Sequence, residues 1–206
     1  MENINTFLEE TNYDIHLYTY DTIMAFVDVV IPRTPLLAQM YGEIMYYGAL
    51  DLYTDEYLIF CLNEYTMPYS YLIAEMLNRI AIKFINIQGI ETIDTTTSSD
   101  AIFSKLTSEE KFLALTLLDD YDAYLSDEQI FVKYTDLVSV ASYLVRLTML
   151  GFYSEWFGYG STRQEQPNQR VLEFIPLSWY QVSYPGRSLS YIQEVNEYYA
   201  VRNQLW

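Results

Sequence analysis

With 28 acidic against 11 basic side chains in 206 residues, the chain carries a formal charge of −17, and a surface of that sign repels nucleic-acid phosphates and anionic lipid head groups. Hydrophobic residues make up 51% of it, enough for one domain that buries about 70% of the surface its unfolded chain would expose. Cys61 is the single cysteine, which excludes an intrachain disulfide, and its neighbours Leu58, Ile59, Phe60 and Leu62 point to a buried thiol rather than a nucleophile.

The first residues carry Glu2, Glu9, Glu10 and Asp14 where a secretory signal needs bases and an apolar run. Apolar runs elsewhere are short and interrupted, as Asp28 interrupts the stretch from Thr22 to Ile31, and stay below the ~20 residues of a span. The expectation is a soluble, cytoplasmic chain with no direct membrane insertion, any membrane association passing through a partner.

Taken in chain order, the apolar periods are those of helices. Ile23, Phe26, Val27, Val30 and Ile31 share one face of a helix that Pro32 and Pro35 end. A second helix is expected over Met40, Ile44, Tyr47 and Leu50 to Leu52, and a third from Asp55 through Leu62, stopping near Pro68. From Tyr69 to Ile87 the positions Leu72, Ile73, Met76, Leu77, Ile80, Phe84 and Ile87 form a stripe that Gly89 caps. The polar stretch 91–100 reads as a loop. Thr107 and Glu110 then make a capping box ahead of Phe112, Leu113, Leu115 and Leu118, opening a helix from 108 to about 125.

Another helix is expected from about 133 to 150, with Leu144, Val145, Leu147, Leu150 and Gly151 on its apolar stripe. It runs into Phe152, Tyr153, Trp156, Phe157 and Tyr159, interleaved with Gly158 and Gly160. Two readings of that aromatic segment stand: a helix end followed by a packed loop, or a docking surface. Residues 161–187 hold Pro167, Pro176 and Pro185 and read as irregular or short-strand structure, and Ser188 or Ser190 caps a last helix through Leu205. The fold class expected is therefore mostly α, a single-domain bundle of about six to seven helices.

Charge is distributed unevenly. Residues 1–140 hold 23 acids and 6 bases, whereas residues 141–206 hold 5 of each. The neutral, aromatic last third is the better partner-binding face, because interface centres are poor in charge and rich in aromatics. The 22 tyrosines suit half-exposed surfaces, where the ring buries carbon and the hydroxyl stays wet; compositional drift explains them equally.

Catalytic machinery is thin. His16 is the sole histidine, so His-rich metal sites, a Ser-His-Asp triad and an HExxH helix lack support. Gly158-Tyr159-Gly160 with Arg163 lacks the third glycine and the preceding strand of a dinucleotide fingerprint. Asp119, Asp120 and Asp122 lack the central glycine and closing glutamate of a calcium loop. Paired carboxylates of the glycosidase type remain open, since sequence spacing says nothing of their separation. No catalytic, cofactor or metal residue is assigned.

Three segments in order resemble the gluconate 2-dehydrogenase subunit 3 family, the small subunit of membrane-linked, flavin-dependent sugar dehydrogenases. They are Phe26 to Thr34 (FVDVVIPRT), Phe103 to Asp119 (FSKLTSEEKFLALTLLD) and Leu147 to Gly158 (LTMLGFYSEWFG), followed by Tyr184-Pro185-Gly186. Pro35-Leu36-Leu37 replaces the family's Pro-Gly-Ala, and no twin-arginine signal is present. The resemblance implies a helical, non-catalytic accessory subunit or chaperone that contacts an FAD-binding large subunit, with FAD and haem held only by partner subunits. Arg33, Phe152, Tyr153, Trp156, Phe157 and Tyr159 are the candidate partner contacts. Arg33 also has a purely structural reading, pairing with the last helix carbonyls or a nearby carboxylate beside the Pro32 turn. The alternative function is an orphan helical scaffold or surface protein that keeps the fold without a dehydrogenase.

Overall fold

Recurrence of apolar side chains every three to four residues yields a mostly α-helical chain, and no strand occurs among the described residues of the computed structural model. It describes residues 17–64, 69–91, 93, 100–117 and 134–184, with side chains from 140 in the last span. The expected loop at 91–100, the continuation to 125, the acidic triplet 119–122, His16 and the last helix fall wholly or mostly outside these residues.

Eight α-helical segments are seen there: α1 (17–30), α2 (Pro35–Tyr41), α3 (Thr54–Asn63), α4 (Tyr69–Gln88), α5 (Ile102–Lys105), α6 (Ser108–Thr116), α7 (Tyr134–Tyr153) and α8 (Leu177–Gln181). Pro32 ends α1, but Pro35 begins α2, where its missing N–H costs nothing. The second helix expected through Leu52 is instead broken. Gly42 sits at φ +97° between α2 and a 3-10 turn, Glu43–Tyr46, and a second 3-10 turn covers Ala49–Leu52. Gly48 lets the returning chain touch α1's end, since a Cβ there would lie 2.9 Å from the Arg33 amide nitrogen.

The core gathers Ile23, Phe26 and Val27 of α1 with Leu58 and Leu62 of α3, Leu77, Ala81, Phe84 and Ile85 of α4, Ile102 and Phe103 of α5, and Leu144 and Leu147 of α7. Fully burying one such side chain contributes about 1.5–3 kcal/mol. One polar residue stitches three helices together. Asn78 donates through Nδ2 to Thr22 Oγ1 and to the Ala74 carbonyl, each at 2.8 Å, and accepts at Oδ1 from the Phe103 amide at 2.8 Å. The Tyr18 hydroxyl bonds it too, and burial pushes that phenol up to about 12.

Large residues did not choose the buried faces alone. On α4, Leu72 and Ile87 are exposed while Ala74, Asn78 and Ala81 are buried, because small side chains let helices approach closely. On α6, Phe112 and Leu113 are exposed while Lys111 and Ala114 are buried. Burial pushes the Lys111 ammonium down, opposed by the charge of Asp28 on α1. The capping box forms as expected: the Thr107 amide donates to Glu110 Oε2 at 2.8 Å and the Glu110 amide to Thr107 Oγ1 at 3.3 Å. Those bonds hold the Glu110 carboxyl below its usual range.

The region after α7 is irregular rather than stranded, with a 3-10 stretch at Phe157–Thr162 and the short α8. Its backbone bonds converge on one carbonyl, Gly158 O, which accepts from Glu173 N (2.8 Å) and Phe174 N (2.9 Å), so no ladder forms. One stretch, Leu17–Tyr41, is long and apolar enough to cross a membrane by length and composition, contrary to the expectation that Asp28 shortens it too far. Its first part, α1, is nonetheless built into the core through Ile23, Phe26 and Val27.

Candidate functional site

Helix α7 meets α3 face to face, and Gly151 permits the approach: a Cβ there would collide with the Tyr57 ring. The turn that follows is fixed by Ser154, whose Oγ donates to the Gly151 carbonyl (2.8 Å) and accepts from the Trp156 amide (3.1 Å). Trp156 thereby swings back under α3. Its ring lies 5.3 Å from Tyr57, nearly edge-on at 73°, and 5.4 Å from Phe60, leaving it 2% exposed.

The rest of the aromatic segment is a latch. Phe157 stacks on Tyr53 at 6.4 Å and approaches Phe174 at 5.9 Å, and Tyr159 donates its hydroxyl to Glu155 Oε2 at 2.6 Å. The Arg163 guanidinium lies 3.8 Å over the Tyr53 ring and pairs with Glu56 at 2.9 Å. Arg170 spans the Phe60, Trp156 and Tyr159 rings at 5.3 to 5.9 Å. Gly160 adopts φ +50°, a conformation costly for other residues.

Two of the expected contact residues therefore need correction. Phe152 and Trp156 are interior, Trp156 against α3, and burial removes both from a partner's reach. Phe157 and Tyr159 are half-buried, and Tyr153, at 51% exposure, is the segment's outward ring. Arg33 stands apart from this cluster. Its guanidinium binds the Asp51 carboxylate with two nitrogens, one bond at 2.6 Å, while Asp51 also accepts from the Gly48 amide at 2.8 Å. That geometry matches the structural reading of Arg33 as a turn clasp.

Sequence reasoning missed the face that is exposed. Leu144, Leu147, Thr148, Gly151 and Phe152 are buried, whereas Tyr143, Arg146, Met149, Leu150 and Tyr153 line the opposite side of α7. Val145 and Leu150, expected on the core stripe, face outward, Leu150 at 58% exposure. Beside Tyr153 an open groove of about 700 Å³ runs to α8, lined by Glu155, Ser178, Trp179, Gln181, Val182 and Tyr184. Trp179 and Tyr184 meet edge to face at 4.8 Å, and the Tyr184 amide donates to the Trp179 carbonyl at 2.8 Å. The available signal was that α7 is apolar on both sides, a pattern typical of a helix covered all round.

A second groove of about 440 Å³ lies between Tyr20, Glu56, Ile59, Phe60, Asn63, Glu64 and Gln164. Next to it Asp55 is buried, and burial pushes its carboxyl above the usual range, opposed by bonds from the Tyr20 hydroxyl and the Asp55 and Glu56 amides. Burial likewise drives the Tyr20 phenol up to about 12. A carboxyl raised on folding favours the folded state below its unfolded pKa and loses that contribution as pH rises through the folded pKa. Asp55→Asn is therefore expected to raise the Tm at pH 7, with the advantage vanishing below about pH 4; thermal melts at both pH values check it, and an equal gain at each would refute it.

Among the described residues no group of three or more His, Cys, Asp or Glu is placed to hold a metal ion. Burial raises the Cys61 thiol above its usual range, and its bond with Tyr57 opposes that, which makes it a poor nucleophile. Comparison of the chain with protein-family models, curated proteins and solved structures finds no match.

Proposed function

We propose that this chain is a non-catalytic helical accessory protein that acts by protein–protein contact, through the outer side of α7 and the groove leading to α8. The observation that carries the reading is the exposed apolar face formed by Met149, Leu150 and Tyr153, continued by the exposed Tyr180, Val182 and Tyr184. Water is a costly neighbour for so wide an apolar surface, and patches of that kind mark interaction sites.

The partner in this reading is the FAD-binding large subunit of a sugar dehydrogenase, with FAD and haem in partner subunits. Its support is the resemblance of segments 26–34, 103–119 and 147–158 to the small-subunit family. Arg33 and Trp156 then shape the fold rather than touch the partner, whereas Tyr153 keeps its proposed role as a contact.

Native purification of the chain from its own cells tests the reading. A co-purifying large subunit with a yellow flavin chromophore is expected, and the double variant Leu150→Asp, Tyr153→Asp is expected to weaken that association by roughly 30-fold or more while the far-UV spectrum is kept. Recovery of the chain alone, without chromophore, would overturn it in favour of the orphan scaffold. Sugar oxidation by the isolated chain would overturn it in favour of an enzyme.

A further inference from the structure

We propose that the knuckle formed by α2 and the following 3-10 turn is a shallow contact for an electrically neutral lipid bilayer surface, a role independent of the dehydrogenase reading. Of residues 35–47 only Ala38 is buried. The remainder places Leu36 at 90% exposure and Met40 at 74%, with Leu37, Tyr41, Tyr46 and Tyr47 exposed beside them. An aromatic side chain carries on the order of 150–250 Å² and the three tyrosines are 42–65% exposed, so with Leu36 and Met40 the patch reaches the few hundred Å² of the largest patches on ordinary monomers.

The patch is held, not frayed. The Thr34 amide donates to the Met45 carbonyl at 2.9 Å and the Gly42 amide to the Ala38 carbonyl at 3.0 Å. The Arg33–Asp51 pair and the bond from Ala49 N to Ile31 O (2.8 Å) close its base. A preformed apolar surface is thus presented without an ordering cost at binding.

Two observations favour a bilayer over a protein groove as the occupant. The stretch Leu17–Tyr41 has membrane-like length and apolarity, yet only 28% of its most apolar window is buried in the molecule. Its inner half is committed to the core, so crossing is incompatible with this fold, whereas its outer half is the exposed helix α2. The side chains are also of the kind an interfacial helix uses: exposed Leu and Met with exposed tyrosines beside them. Charge selects among bilayers. Arg33 is taken up by Asp51, so within 35–47 Glu43 carries the one formal charge, while the body of the protein is strongly acidic. A nearly uncharged tip on a polyanion fits zwitterionic head groups and is repelled by anionic ones.

Flotation of the full-length chain with phosphatidylcholine vesicles, and separately with phosphatidylglycerol vesicles, tests this. The wild type is expected to float with the first and less with the second at low salt, the difference shrinking as salt rises. The triple variant Leu36→Ser, Met40→Ser, Tyr41→Ser, whose sites are exposed, is expected to keep its melting temperature and to lose partitioning by roughly tenfold or more. A wild type that stays with the bulk solution, a variant that floats equally well, or a preference for phosphatidylglycerol at low salt would overturn the proposal. So would a wild type that does not float but self-associates in sedimentation, with that association lost in the variant, an outcome that assigns the knuckle to a protein contact.

Discussion

Trp156→Ala is expected to lower the unfolding free energy by about 3–5 kcal/mol, the cost of emptying a large ring from a closed core. The indole is held between Tyr57 and Phe60 of α3 and covered by Arg170, so its removal leaves those rings facing a void. The fall in Tm should be roughly 10 °C for a chain of this size. Trp156→Phe should restore most of the loss, because Nε1 is buried with no hydrogen-bond acceptor and the replacement gives up no polar contact. Equilibrium urea denaturation measures both. An alanine variant as stable as the parent but weakened in partner binding would return Trp156 to the surface role that the sequence first suggested.

Asn78→Leu is expected to cost about 2–4 kcal/mol although it adds apolar atoms to the interior. The substitution strips the Phe103 amide of its acceptor and removes the donor facing Thr22 Oγ1, and both groups lie where water does not reach. A buried donor without a partner pays its full desolvation cost, about 1–3 kcal/mol. Hydrogen exchange at the Phe103 amide offers a local check: that proton should exchange much faster in the variant, and unchanged protection together with unchanged stability would refute the assigned role.

The helical nature of the chain was legible, and for a physical reason. Apolar spacing, the Thr107–Glu110 box and the Gly89 stop are local signals, and each reappears in the folded molecule: Gly89 sits at φ +66° after α4, and the box closes with both bonds. Which side of a helix faces inward is a tertiary matter. Leu150 was expected on the core stripe and is exposed, as is Phe112, while the polar Asn78 and Lys111 are buried. Side-chain size ranks transfer from water, but close helix contact rewards small residues such as Ala74, Ala81 and Gly151, and a polar group enters freely once its partners are in place.

The aromatic segment followed the same logic. Composition alone offered a packed loop or a docking surface, and the segment divides: Trp156 went to the interior and Tyr153 to the outside, three residues apart. The single turn at Ser154 makes that division, and nothing in the composition of the segment specifies where such a turn reverses. Arg33 was legible in part, because a nearby carboxylate was one of the partners its place beside the Pro32 turn suggested, but Asp51 as that carboxylate required the return of the chain through Gly48.

Six of the cations among the described residues are engaged within the molecule. Arg33 is engaged by Asp51, Arg79 by Glu75, Lys105 by Asp100 and Arg163 by Glu56, while Arg170 is laid over rings and Lys111 is sunk in the core. Pairing cancels an anion with each cation, so the field that extends into the solvent is set by the net charge of −17. A basic protein approaching at low ionic strength would be pulled in before any side chains touch, and its association rate, far more than its dissociation rate, would fall as salt is added.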